Sequence, residues 1–165
     1  MTLVSISLAA LGVPTWAAGP ADWAFTIETS YEIRLPAAIV PAVEFGELDY
    51  EGPPYRGFLA DLDGVPEYIV QSAPGLCGNS GCPYSLFDGA TLRPLGLIFG
   101  GWMVVRATLP GALPVIHADS HLSAESATYT TFVHEAGRYV RRTSIELQGA
   151  ALEQLVQELR RVPRR

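Results

Sequence analysis

The chain has no lysine. All eleven of its basic residues are arginine, against seventeen Asp and Glu, for a formal net charge of −6 over 165 residues. An acidic balance argues against nucleic acid as a partner, because binding to it depends on neutralising phosphates. Cysteine is nearly absent: Cys77 and Cys82 are the only two. Four residues lie between them, which excludes the two-residue spacing of a thioredoxin-type redox motif. No Gly-x-Ser-x-Gly elbow occurs, so the commonest serine-hydrolase signature is missing. No apolar run is long enough to span a bilayer as a helix. The best, residues 3–13, is broken by Ser5, Ser7 and Gly12. It also lacks a basic residue ahead of it, and no cysteine lies nearby to carry a lipid anchor.

That same segment, followed by Thr15-Trp16-Ala17 or Trp16-Ala17-Ala18, could end in a signal-peptidase site. Residues 1–18 read as an export signal, and residues 19–165 as a single domain. About 147 residues suffice for one core. Cys77-Gly78-Asn79-Ser80-Gly81-Cys82 can close as a small disulfide ring, which persists only in an oxidising compartment. A ring this short contributes only about 2 kcal/mol by loop closure. Its expected role is to fix one loop.

Along the chain the period of two dominates. Residues 25–34 alternate apolar and polar and read as one strand. Residues 35–54 carry Pro36, Pro41, Pro53 and Pro54 and read as a connection, with a helical turn near 42–48. Further strands are expected at 55–60, 66–73, 84–87, 92–99, 102–108 and 113–118. Asp88-Gly89 reads as a hairpin turn. Residues 126–134 and 138–147 form the clearest hairpin. After Gly149, Leu152, Leu155, Val156 and Leu159 fall at helical spacing, giving an amphipathic helix over 149–162. The arginine-rich tail reads as a helix end favoured by the dipole, then a frayed terminus. The expectation is a mainly β (α+β) fold: one antiparallel β-meander of seven to nine short strands, with the C-terminal helix packed on it.

Three constellations could carry chemistry. Asp61, Asp63 and Glu67 flank Gly64 in the pattern of a cation loop, and equally of an Asx-type turn. His117, Asp119 and His121 alternate, so on a strand they would share a face and could ligate zinc in a metal-assisted hydrolase. On a loop they are solvated polar residues. A Ser–His–Asp set can be drawn from Ser120, Ser123, His117, His134 and Asp119, but only proximity in space would make it catalytic. Among aromatics, Trp102 reads as core, and Tyr50, Tyr55 and Tyr84 read as surface residues near turns.

The string Asp61-Leu62-Asp63-Gly64-Val65-Pro66-Glu67, followed by Cys77-Gly78-Asn79-Ser80-Gly81-Cys82, resembles a group of small exported Gram-negative proteins. These carry a D-x-D-G-D-G-x-x-E turn and a C-G-x-x-G-C loop. The resemblance spans residues 55–147. The chain departs from it in lacking the second Asp-Gly pair of the turn. These proteins look like periplasmic single-disulfide β proteins, some of which are immunity proteins that block peptidoglycan-degrading effectors of type VI secretion.

The resemblance implies a non-catalytic periplasmic binder that plugs the active site of a secreted cell-wall hydrolase, with no cofactor and no membrane insertion of the mature chain. Asp119, Ser120, His121 and Ser123 would meet the enzyme, with Asn79 and Ser80 as a second contact. The alternatives are the metal-assisted hydrolase and an envelope module stiffened by a cation at Asp61, Asp63 and Glu67.

Overall fold

The computed structural model describes residues 22–43, 55–72, 75, 77–106 and 112–164. The expected export signal and Tyr50 lie outside them. Among the described residues there are ten strands: β1 (Trp23–Phe25), β2 (Glu32–Ile33), β3 (Arg56–Asp61), β4 (Pro66–Gln71), β5 (Cys82–Phe87), β6 (Pro94–Gly100), β7 (Met103–Arg106), β8 (Val115–His121), β9 (Ser126–Glu135) and β10 (Arg138–Gln148). One helix, α1 (Gly149–Leu159), follows directly. Instead of one meander of seven to nine strands there are two antiparallel five-stranded sheets, ordered β1-β7-β8-β9-β10 and β2-β3-β4-β5-β6.

Two local events split the meander. The first is at Thr26. The alternation over 25–34 predicts one strand, but Thr26 O accepts the Ser30 N–H at 3.1 Å and the Ser30 hydroxyl at 2.7 Å. The Thr26 and Thr29 hydroxyls also pair at 2.9 Å. Hydroxyl side chains thus offer the backbone a turn in place of a ladder. β1 goes to one sheet and β2 to the other. The second is at Gly100-Gly101. A Cβ on Gly100 would stand 2.8 Å from Asp119 O, so only glycine lets β6 pass this close before the chain enters β7 in the opposite sheet.

The inner faces of both sheets share one core. Phe25, Phe58, Tyr84, Leu86, Ile98 and Ile116 belong to it. Phe25 meets Phe58 and Tyr84 edge-on at centroid distances of 5.5 and 5.8 Å, the arrangement aromatic quadrupoles favour. Tyr84, expected at the surface from its place near a turn, is fully buried; it stands on β5, every residue of which is buried. Tyr55 is half-buried against the second sheet.

Each outer face is covered in turn. α1 buries Leu152, Leu155 and Leu159 against Ala24, Val104, Tyr129 and Leu147 of the first sheet. On the second sheet, Ile39 and Val43 flank a short 3-10 turn over Val40–Ala42 and pack on Val70 and Phe87. That turn lies earlier than the helical turn expected near 42–48, most of which falls outside the described residues.

Turn chemistry sets the hairpins. Ala136 and Gly137 both have positive φ, +50° and +84°, the two-residue connection whose twist suits a hairpin. Asp88-Gly89 does not make such a turn. The Asp88 carboxylate instead accepts the Ala90 and Thr91 N–H groups at 3.1 and 2.7 Å, and Leu92 N donates to Asp88 O at 2.9 Å, giving a longer capped loop. The tail does not fray after α1 as the arginine-rich composition suggests. Pro163 O accepts the Ala24 N–H at 2.7 Å, and the Arg164 guanidinium lies 4.2 Å from the Trp102 ring centroid.

Candidate functional site

Cys77 and Cys82 are joined, with Cα atoms 4.5 Å apart. Inside the ring, Gly78 and Gly81 exchange N–H···O bonds of 3.1 and 3.0 Å, which leaves Asn79 and Ser80 as the exposed tip. Gly81 has φ +118°, and a Cβ there would meet the Gly100 carbonyl carbon at 2.2 Å. The residue between Ser80 and Cys82 is therefore glycine for two independent reasons: backbone conformation and backbone approach. Behind the ring the buried Gln71 amide donates to both sulfurs, at 2.9 and 3.0 Å.

The second component is the end of β8 and its turn into β9. His117, Asp119 and His121 do lie on the strand and alternate on its outer side, but the three are not grouped to hold a metal ion. His117 is buried, stacked on Tyr129 at 5.2 Å and hydrogen-bonded to Thr131 at 3.1 Å. Burial, with the Arg106 charge nearby, lowers its pKa to about 4. Asp119 is only 4% exposed. One carboxylate oxygen accepts the Trp102 N–H at 3.0 Å, and its backbone accepts Gly101 N at 2.7 Å and donates to Trp102 O at 3.3 Å. Asp119 is thereby the strap that holds the crossover between the sheets. Burial raises its pKa, while the Trp102 N–H and His121 work in the other direction. His121 is exposed, with Nε2 3.7 Å from Asp119 Oδ2.

The two components meet. The Ser120 hydroxyl donates to Ser80 O at 2.6 Å, across forty residues of sequence. A groove of 460 Å³ follows, lined by Asn79, Ser80, His121, Leu122, Ser123 and Ala124. Of the residues the sequence nominated for contact, five thus form one continuous edge, and Asp119 stands behind them. Ser123 is fixed in its turn: its hydroxyl pairs with Ser126 at 2.9 Å and accepts the Glu125 N–H at 3.1 Å.

Beside this edge lies a second cleft, of 380 Å³, that sequence reasoning missed. Trp102, Arg160 and Arg164 join Asn79, Asp119 and His121 in its wall. Trp102, read as core, is half-buried there under Arg164. Nothing in the local pattern could announce this cleft, since its parts come from a sheet crossover, a disulfide loop and a C-terminal tail.

The carboxylates of the candidate cation turn are used within the chain. Glu67 accepts the Leu62 N–H at 2.8 Å, Asp61 the Gly64 N–H at 2.6 Å, and Asp63 the Val65 N–H at 3.1 Å. This is the Asx-type reading of the motif. Glu67 is buried, and desolvation, reinforced by the Asp63 charge and opposed by the Leu62 N–H, pushes its pKa up to about 7. Among the described residues, no three or more His, Cys, Asp or Glu side chains are grouped to hold a metal ion. His134, the remaining imidazole, packs on Tyr139 at 5.5 Å. No helix among the described residues is long and apolar enough to cross a membrane.

Compared with protein-family models, with curated proteins and with solved structures, the chain matches none.

Proposed function

We propose that this chain is a non-catalytic binding protein of the periplasm, an immunity-type inhibitor whose stapled edge enters the active-site cleft of a secreted cell-wall hydrolase. The observation that carries the reading is the Ser120–Ser80 hydrogen bond of 2.6 Å. It couples a disulfide-closed tip to a hairpin turn and makes one rigid polar ridge from two separate loops. A ridge ordered before contact loses little conformational entropy on binding, so more of its interaction energy appears as affinity. Asn79, Ser80, His121 and Ser123 offer amide, hydroxyl and imidazole groups suited to the polar floor of a hydrolase cleft. The bridged cysteines fit an oxidising compartment, and the motif resemblance supplies the class of partner.

A hydrolytic role for the same residues has less support. A nucleophile needs a base within hydrogen-bond reach. The Ser120 hydroxyl is turned to Ser80, the Ser123 hydroxyl to Ser126, and His117 to Thr131 and the Tyr129 ring.

The test is capture and inhibition. The mature chain, immobilised, is exposed to periplasmic extract of its native host and of neighbouring competitor strains. The proposal expects a captured protein that degrades purified peptidoglycan, and loss of that activity when the free chain is added back. Capture of nothing with wall-degrading activity, or undiminished degradation in the presence of the chain, would overturn it.

A further inference from the structure

The cleft beside the ridge carries charges of both signs that do not neutralise each other. Arg160 and Arg164 reach it from the end of α1 and the tail, and Asp119 and Glu28 stand in the same wall. Among the described residues, neither arginine is in an ion pair. Both signs are anchored on one residue, Trp102. Its backbone N–H donates to Asp119 Oδ1 at 3.0 Å, and its ring carries the Arg164 guanidinium 4.2 Å from the centroid. One tryptophan thus sets the spacing between a carboxylate and a guanidinium. Asp119 is only 4% exposed, yet its second oxygen is not fully used. His121 Nε2 stands 3.7 Å from Oδ2, longer than a hydrogen bond. Gly101, which also lines the cleft, has no side chain to cover that oxygen; a Cβ there would sit 3.8 Å from it. A buried carboxylate oxygen short of a donor is costly, and a ligand can supply one.

We infer that this cleft binds a zwitterion of amino-acid size, with the ligand's carboxylate on Arg160 and Arg164, its ammonium on Asp119 Oδ2, and an apolar side chain against Val156 and Leu159. The charges select the class. A simple anion would face Asp119 and Glu28, and a simple cation would face two arginines. A neutral apolar molecule would desolvate all four groups and pair none of them. A zwitterion meets each wall with the opposite charge. A guanidinium takes a carboxylate through paired N–H donors, and the Trp102 ring holds Arg164 in place for that contact. The cleft volume of 380 Å³ lies at the small end of the range for ligand sites, about 300–1,000 Å³, which suits one amino acid or a dipeptide. The site shares Asn79 and His121 with the ridge, yet its occupation does not depend on the ridge meeting a hydrolase.

Calorimetric titration of the full chain tests this, with L-leucine, L-phenylalanine and the dipeptide L-alanyl-L-leucine as probes. At least one is expected to bind one-to-one and to raise the melting temperature. For L-leucine the two charges are then removed in turn: isocaproic acid lacks the ammonium, and L-leucinamide lacks the carboxylate. Each is expected to bind about tenfold or more weakly than the parent, since each leaves one charged wall unpaired; the matching analogues serve if another probe binds best. These comparisons use the unaltered chain, so loss of folding cannot imitate the result. Arg160→Gln combined with Arg164→Gln is expected to weaken binding by about tenfold or more as well. Arg161→Gln, exposed and outside the cleft, leaves it unchanged. Absence of binding by all three probes at millimolar concentration would overturn the inference. So would an analogue lacking either charge that binds as tightly as its parent, or binding indifferent to the loss of both arginines.

Discussion

At the scale of single residues, the least replaceable side chain near the ridge is one that does not exist. Gly81 combines φ +118° with a Gly100 carbonyl carbon 2.2 Å from where a Cβ would sit. Gly81→Ala is expected to cost about 2–4 kcal/mol, the range of a strained backbone plus a displaced neighbour, and thermal unfolding will read it directly. Two buried titratable groups make a second residue-scale prediction. The Glu67 pKa is raised from 4.5 to about 7, so between those values the folded chain holds a proton that the unfolded chain has released. Stability from this group is present below pH 4.5 and is lost as the pH rises through about 7. The His117 pKa is lowered from 6.5 to about 4, so there the unfolded chain holds the extra proton. Stability from this group is present above pH 6.5 and is lost as the pH falls through about 4. Each contributes on the order of 3 kcal/mol across its window, and the two oppose each other. Denaturant titrations from pH 4 to 7 should therefore show a shallow wild-type slope. Glu67→Gln, which can still accept the Leu62 N–H, should leave stability rising with pH. His117→Gln should leave it falling. Two variants sloping the same way would contradict the assignment.

At the scale of elements, the sequence is legible where a feature depends on its own neighbours. The hairpin of β9 and β10 and the helix after Gly149 follow from periodicity and from the turn at Ala136-Gly137. The partition into sheets was hidden. The break at Thr26 depends on hydroxyls that prefer a turn to a ladder, and the switch at Gly100 depends on the backbone of Asp119, nineteen residues downstream. The ridge was legible in parts: both loops were visible as polar, but their junction through Ser120 and Ser80 is a long-range contact. The adjoining cleft left no local signal, because Trp102 and Arg164 meet only after the tail returns to β1. The disulfide belongs to this scale too. Cys77→Ser with Cys82→Ser is expected to cost about 2 kcal/mol of global stability, with a larger effect on partner binding than on melting, since it frees the Asn79-Ser80 tip. α1 is held by burial, not by its caps, since no side chain caps its first turn. Leu155→Ala, at a site 3% exposed, should cost about 2–5 kcal/mol in denaturant unfolding.

At the scale of the whole molecule, two sheets share a core and each carries a cover on its outer face, and the scaffold holds the stapled end that the proposed function uses for recognition. Loops held by such a scaffold are where binding residues concentrate. The −6 charge suits a protein partner and not a polyanion. The most direct measurement is a calorimetric titration of the chain against the cell-wall hydrolase that the proposed function expects it to capture, with wild type beside Asn79→Arg/Ala124→Arg, both on the groove between the two loops. Both substituted positions are exposed, so the melting temperature should be unchanged. The account predicts tight wild-type binding and an affinity reduced by about a hundredfold or more in the double variant, as expected when charge and bulk enter the centre of an interface. Equal affinity for the two proteins, at equal thermal stability, would contradict it.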